Sequence, residues 1–116
     1  MTLVAEAMRR AYTSVSADAT VAEVERVAAS TGARHVLVLE GDNLVGVVCR
    51  CDLVGARPQD PVSECMTVPV LTVRPDAALD DALLTLRDCR VGCLPVAAGG
   101  LLLGLLTAED ASRARS

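Results

Sequence analysis

Apolar residues recur along this chain at two spacings, and the two spacings alternate. Over residues 20–30, Val21, Val24, Val27 and Ala28 fall three or four apart, which is the spacing of one helical face. Over residues 78–88, Leu79, Ala82, Leu83 and Leu86 repeat that pattern. Four short apolar runs lie elsewhere, at residues 36–39, 44–48, 94–97 and 101–106. They come in pairs joined by tight glycine-containing turns, which predicts two strand hairpins. Thr13-Ser14-Val15 and Leu71-Thr72-Val73 predict short extended pieces, ended by Ser16-Ala17-Asp18 and Arg74-Pro75-Asp76. A closing helix is expected from near Arg50 and another from near Ala108. The order is β-α-β-β-α, written twice.

The repetition extends to residue identity. At an offset of 58 positions, Val4, Glu6, Met8, Val15, Asp18, Ala19 and Val38 meet the same residue types. So do Gly41, Leu44, Gly46, Asp52, Ala56 and Arg57. These 13 identities in 58 pairs need no gap, and roughly six would arise by chance from such a composition. The chain is an internal duplication, with repeats over 1–57 and 58–116 and a hinge at Arg57-Pro58-Gln59-Asp60-Pro61. The expected fold is mixed α/β (α+β), with small sheets packed by helices.

Composition narrows the function. The apolar fraction is 52% in only 116 residues, and a body this small leaves much of its surface in water. Part of that apolar excess is expected in a subunit interface, which predicts a homodimer. Tyr12 is the sole aromatic residue, so Val, Leu and Ala must build the core. The net charge is −4 and all eleven basic residues are scattered arginines. Without a basic patch or stacking aromatics, nucleic acid is not an expected partner. No apolar run reaches the length of a membrane span, and Glu6, Arg9 and Arg10 interrupt any signal-like N-terminus; a cytoplasmic protein is expected. The five cysteines include the close pairs Cys49-Arg50-Cys51 and Cys89-Arg90-Val91-Gly92-Cys93, which match no zinc spacing. Aliphatic neighbours mark them as small buried hydrophobes rather than metal or redox centres.

The strongest chemical signal is Gly104-Leu105-Leu106-Thr107-Ala108-Glu109-Asp110. An apolar strand runs into a hydroxyl, and a carboxylate follows three positions later, as at a capped helix start. Such a start presents unpaired N–H groups suited to a phosphate, and a carboxylate there can accept from ribose hydroxyls. The plainer reading is that Thr107 and Asp110 only cap a helix. Arg34 and His35 carry a similar choice between a strand-edge structural role and reaching a phosphate. Glu109, Asp80 and Asp81 read as solvated helix positions.

These marks together resemble the cystathionine-β-synthase (CBS) domain family, arranged as a tandem pair or Bateman module. They are Met66-Thr67, Val73-Arg74-Pro75-Asp76, residues 91–96 and residues 104–110, with residues 32–38 and 46–52 as first-repeat counterparts. The resemblance implies two repeats about a pseudo-two-fold axis, with adenosine-containing ligands in clefts between them. It places ribose on Asp110 and Asp52 and phosphate on Thr107. It places adenine near Thr72, Val73, Cys93, Leu94 and Pro95, and in the first repeat near Ser14, Val15, His35, Val36 and Leu37. Two departures follow: Cys49 replaces the hydroxyl of Thr107 by a weak thiol donor, and Leu37 stands where Pro95 does. On that chemistry the second repeat is the better-equipped site.

The expected function is therefore a non-enzymatic sensor of an adenine nucleotide, AMP favoured over ADP, ATP or similar ligands. It needs no cofactor or metal and acts on a regulated protein not identified by the chain. The alternative is a dimeric interaction module that has kept the fold and lost ligand affinity. An enzyme is not expected, because no nucleophile–base set or metal-spaced cluster is present.

Overall fold

Thr20 is extended (φ −92°, ψ 164°) and its hydroxyl accepts the Glu23 N–H at 3.3 Å, so a helix begins at the next residue. This helix, α2 (Val21–Thr31), ends at Gly32, whose φ of 73° suits a residue without Cβ. The computed structural model describes residues 1–88 and 92–115. Its other elements are α1 (Val4–Ala7), β1 (Ser14–Ser16), β2 (His35–Glu40), β3 (Asn43–Cys49), α3 (Leu79–Asp88), β4 (Cys93–Ala98), β5 (Leu101–Thr107) and α4 (Ala108–Arg115). Short 3₁₀ turns lie at Arg50–Leu53 and Val62–Glu64. The helix expected near Arg50 is thus a correction: it is one 3₁₀ turn. Gly55 follows at φ 86° and turns the chain away, where the second repeat has Arg113 and continues as α4.

The chain divides into two compact units, but not at the repeat boundary. One unit is residues 12–70, holding β1 to β3; the other joins residues 1–11 to residues 71–116 and holds β4 and β5. Each repeat's leading segment therefore packs on the other repeat's strands and helix. Val62, the second repeat's first buried valine, sits in the core with Val21, Val24, Ala28, Val36, Val38 and Val48. Val4 sits in the other core with Leu79, Ala82, Leu86, Leu94, Val96 and Leu106. Both valines are fully buried, and burying such a side chain contributes about 1.5–3 kcal/mol.

The leading segments also satisfy helix N-termini. The Val21 N–H donates to the Asp60 carbonyl at 2.9 Å, and the Leu79 N–H donates to the Thr2 carbonyl at 2.8 Å. These are two of the N–H groups that a helix start leaves unpaired. Residues 57–61 are consequently a docked connection: the Pro58 carbonyl accepts from Ala22 at 3.0 Å, and Asp60 Oδ2 accepts from the Arg57 N–H at 2.9 Å. Neither α1 nor the turn at Val62–Glu64 was visible as apolar periodicity, being too short to show any.

Strand pairing follows the offset of 58 throughout. His35 faces Cys49 and Cys93 faces Thr107; the antiparallel register shifts after Val38 and again after Val96. In the 12–70 unit β1 runs parallel to β2, with Val15 opposite Val38, in a three-stranded sheet ordered β1-β2-β3. Among the described residues of the other unit, a single parallel bridge, Val73 to Val96, stands beside the two-stranded β4-β5 sheet. Proline explains the loss. In the first repeat Leu37 N–H donates to Thr13 and Ala17 N–H donates to Leu39, at 2.9 and 2.8 Å. The counterpart donors are Pro95 and Pro75, which have no N–H. The bonds between those positions survive, Val73 to Pro95 and Ala97 to Val73, both 3.0 Å.

Candidate functional site

Strand alternation decides which side chains are left to line a site. Val36 and Leu94 put theirs into the two cores, so only their main chains remain for a ligand. Their neighbours His35, Leu37, Cys93 and Pro95 point to the opposite sheet face, where Leu37, Cys93 and Pro95 are buried too and only His35 is partly exposed. Val15 and Val73 are half-buried beside the cores, while Ser14 and Thr72 are exposed. Val73 is held at Pro95 by the hydrogen bond already described, and Ser14 pairs with Leu37. The strand residues of each candidate set are thus neighbours in space within their own unit.

The strand-to-helix junctions hold the charged groups. In the second repeat, the Asp110 N–H donates to Thr107 Oγ1 at 3.1 Å, and the Thr107 N–H donates to Asp110 Oδ2 at 3.3 Å. This is a reciprocal cap, in which the Thr107 hydroxyl oxygen accepts and one carboxylate position is taken. Arg9 takes the rest. Its Nε donates to Oδ1 at 3.3 Å and Oδ2 at 3.1 Å, and Nη2 donates to Oδ1 at 2.7 Å. A carboxylate offers about four lone-pair positions; three bonds from Arg9 and one from Thr107 fill them. Arg113 adds a longer contact of 3.8 Å to Oδ1. The Asp110 side chain is 3% exposed, whereas that of Arg9 is 50% exposed.

Burial disfavours the charged form of Asp110, but hydrogen bonds from Arg9 and Thr107 and the Arg9 charge outweigh it. Its pKa lies below the ordinary carboxylate value. The Arg9 pKa is correspondingly raised, chiefly by its hydrogen bond to Asp110 and then by that carboxylate's charge.

The first-repeat junction has the same backbone and different chemistry. Asp52 Oδ2 accepts the Cys49 N–H at 2.9 Å, and Asp52 is exposed. The Arg50 N–H donates to the Arg34 carbonyl at 3.0 Å, which brings the main chains of these two arginines together. No arginine corresponds to Arg9 here, because its counterpart is Thr67. Thr67 contributes main-chain bonds with Val47, as Arg9 does with Leu105.

Sequence reasoning missed Arg9, which lies 101 positions from its partner. The available signal was the mismatch of Arg9 with Thr67 beside the matched Met8 and Met66. Gly104 makes this approach possible: a Cβ there would collide with the Arg9 carbonyl. At Gly46 a Cβ would collide with the Met66 side chain.

Cys49, Cys51, Cys65 and Cys93 are thiols, and Cys89 lies outside the described residues. Cys93 is buried and Cys51 exposed. Burial raises the pKa of Cys65, with nearby carboxylates adding to the shift. Among the described residues, no helix is long and apolar enough to cross a membrane.

A family model described as CBS domain matches this chain twice, over residues 4–58 and 62–116. Inosine-5'-monophosphate dehydrogenase of Nitrosopumilus maritimus (strain SCM1) is 30% identical over 99 residues. That match covers 84% of this chain but only 21% of the enzyme. Among solved structures, a protein with CBS domains from Burkholderia ambifaria MC40-6 is similar at a TM-score of 0.90 and 26% identity. The match covers 98% of this chain and 93% of that one. CBSX2, solved in complex with AMP, is similar at a TM-score of 0.88 and 25% identity, over 99% of this chain and 96% of its own.

Proposed function

The chain belongs to the CBS domain family as two domains in tandem, and from that premise we propose that it is a non-enzymatic regulatory module for an adenosine-containing ligand, AMP favoured. The observation that carries this reading is a carboxylate on the first turn after the second hairpin strand of each repeat. Each is placed by the same register, and in the first repeat it is open to solvent. A ribose diol donates two hydrogen bonds to such a group, and the exposed residues Ser14 and Thr72 are among those to which the family likeness assigns the base. The AMP complex of the similar CBSX2 protein supports the ligand class.

This proposal reverses the expectation that the second repeat is the better-equipped site. Thr107 favours the second repeat as chemistry, since its O–H can still donate while its oxygen caps the helix, yet Asp110 is filled by Arg9. We assign resting ligand binding to the Asp52 junction, and binding at Asp110 to a state in which Arg9 has let go. Titration calorimetry of the chain with AMP, ADP, ATP and S-adenosylmethionine tests this, with one saturable AMP event per chain expected. Heat from none of the four at millimolar concentration refutes the sensor reading. It would leave the interaction module, which the saturated Asp110 favours.

A homodimer belongs to the same proposal. Leu84 on α3 is 58% exposed and Val54, after the first-repeat 3₁₀ turn, is 85% exposed; apolar side chains like these are ones a partner surface covers. Light scattering is expected to report about twice the 12.0 kDa chain mass. A monomer persisting at high micromolar concentration removes the dimer.

A further inference from the structure

Cys49 and Cys51 flank one residue at the end of β3, and the turn between them is 3₁₀ rather than extended. That bend brings the two side chains to the same side of the chain, with the Cys51 thiol donating to Cys49 Sγ at 3.1 Å. Nothing in the packing requires this pair: Cys51 is exposed, Cys49 is half-buried, and neither belongs to a core cluster. Aliphatic neighbours mark buried cysteines, and these two, one half-buried and one exposed, are not among them.

We propose that Cys49 and Cys51 are a redox modification site, a dithiol that low-molecular-weight disulfides oxidise reversibly to an intramolecular disulfide. The hydrogen bond to Cys49 raises the pKa of Cys51 and keeps its proton in place, so Cys49, whose sulfur accepts that bond, is assigned as the first nucleophile. The Cys49 thiolate attacks one sulfur of the external disulfide, forming a mixed disulfide and expelling one thiolate, which takes up the proton Cys49 lost. Cys51 then loses its proton and attacks the Cys49 sulfur, expelling the second external thiolate. Two electrons pass from the two protein thiols to the external disulfide, which leaves as two thiols. The approach needed is small, from 3.1 Å to a bond of about 2.05 Å. Cys65 and Cys93 stand outside this chemistry, Cys65 by the burial that raises its pKa and Cys93 because it is buried.

The site lies beside Asp52, whose Oδ2 is held by the Cys49 N–H. The proposal does not rest on ligand binding there, and its test does not use a ligand. The full chain is equilibrated in glutathione buffers from reducing to oxidising, quenched with iodoacetamide and digested with trypsin. Trypsin cuts after Arg50, so an oxidised pair holds the peptide ending at Arg50 to the one beginning at Cys51. The peptide beginning at Cys51 also carries Cys65, because Arg57 and Arg74 precede prolines; the two peptides are expected to migrate in oxidising buffer as one joined species alkylated at Cys65, and to separate on reduction. The Cys51→Ser variant, altered at an exposed position, is expected instead to accumulate a glutathione adduct at Cys49. Alkylation of both cysteines across the whole buffer range overturns the proposal. So does a wild-type chain that carries glutathione adducts at Cys49 or Cys51 without the crosslink.

Discussion

The two strand-to-helix junctions, residues 49–52 and 107–110, have the same register and the same aspartate, yet one carboxylate is exposed and the other is buried and saturated. The difference is not in the junctions alone. Asp110 is claimed by Arg9, brought in by a leading segment whose counterpart in the other unit delivers Thr67. A duplicated backbone therefore does not make duplicated sites. A long side chain arriving from a distant segment decides whether the carboxylate is open, while the hydroxyl or thiol next to it sets only the local cap.

Replacing the open carboxylate should have the largest effect. Asp52→Ala removes the acceptor for a ribose diol, and hydrogen bonds to a charged group contribute roughly 1.5–3 kcal/mol. AMP affinity should fall about 10- to 150-fold by calorimetry, whereas Asp110→Ala should leave the first binding event within about threefold. The opposite ranking would make Asp110 the resting site and remove the role assigned to Arg9.

The sheets can be compared in the same way. Leu37→Pro gives the first repeat the proline of the second, and removes the donor that reaches the Thr13 carbonyl at 2.9 Å. Losing that bond inside a formed sheet should cost about 1–3 kcal/mol, a drop in Tm of roughly 3–15 °C. An unchanged Tm would mean that neither the β1 bond nor the burial of the Leu37 side chain contributes to stability.

The smallest effect is expected at the saturated carboxylate. Arg9→Met leaves buried Asp110 without its main partner and should cost about 1–2 kcal/mol, since half of Arg9 lies in water. The sign with pH follows from the lowered Asp110 pKa. The ion pair stabilises the fold above the unfolded carboxylate value, near about 3.9, and is lost as pH falls through the folded one. Urea titrations of wild type and variant should therefore diverge at neutral pH and converge in acid. The variant should also show a second AMP event by calorimetry. A stability gap independent of pH would show that Arg9 acts through packing rather than charge.

Much of this protein follows from local pattern. The helical spacing of Val21, Val24 and Ala28, the paired apolar runs, and the Thr107 cap act over a few residues, and the elements formed where those patterns fall. The offset of 58 predicted two copies of one element order, and the hairpins of both copies share a register, with shifts after Val38 and Val96. Even the loss of β1 pairing in the second repeat was written in Pro75 and Pro95, because a missing N–H is a property of the residue itself. Other outcomes needed the folded chain. Periodicity cannot show that Val4 and Val62 pack in the core of the opposite repeat, because a lone valine in a four-residue helix or a single turn has no period. The filling of Asp110 depends on Arg9, Gly104 and a leading segment meeting across some hundred residues, and the meeting of the Cys49 and Cys51 thiols depends on a 3₁₀ bend. Backbone direction and burial, set by tertiary packing, decided those contacts.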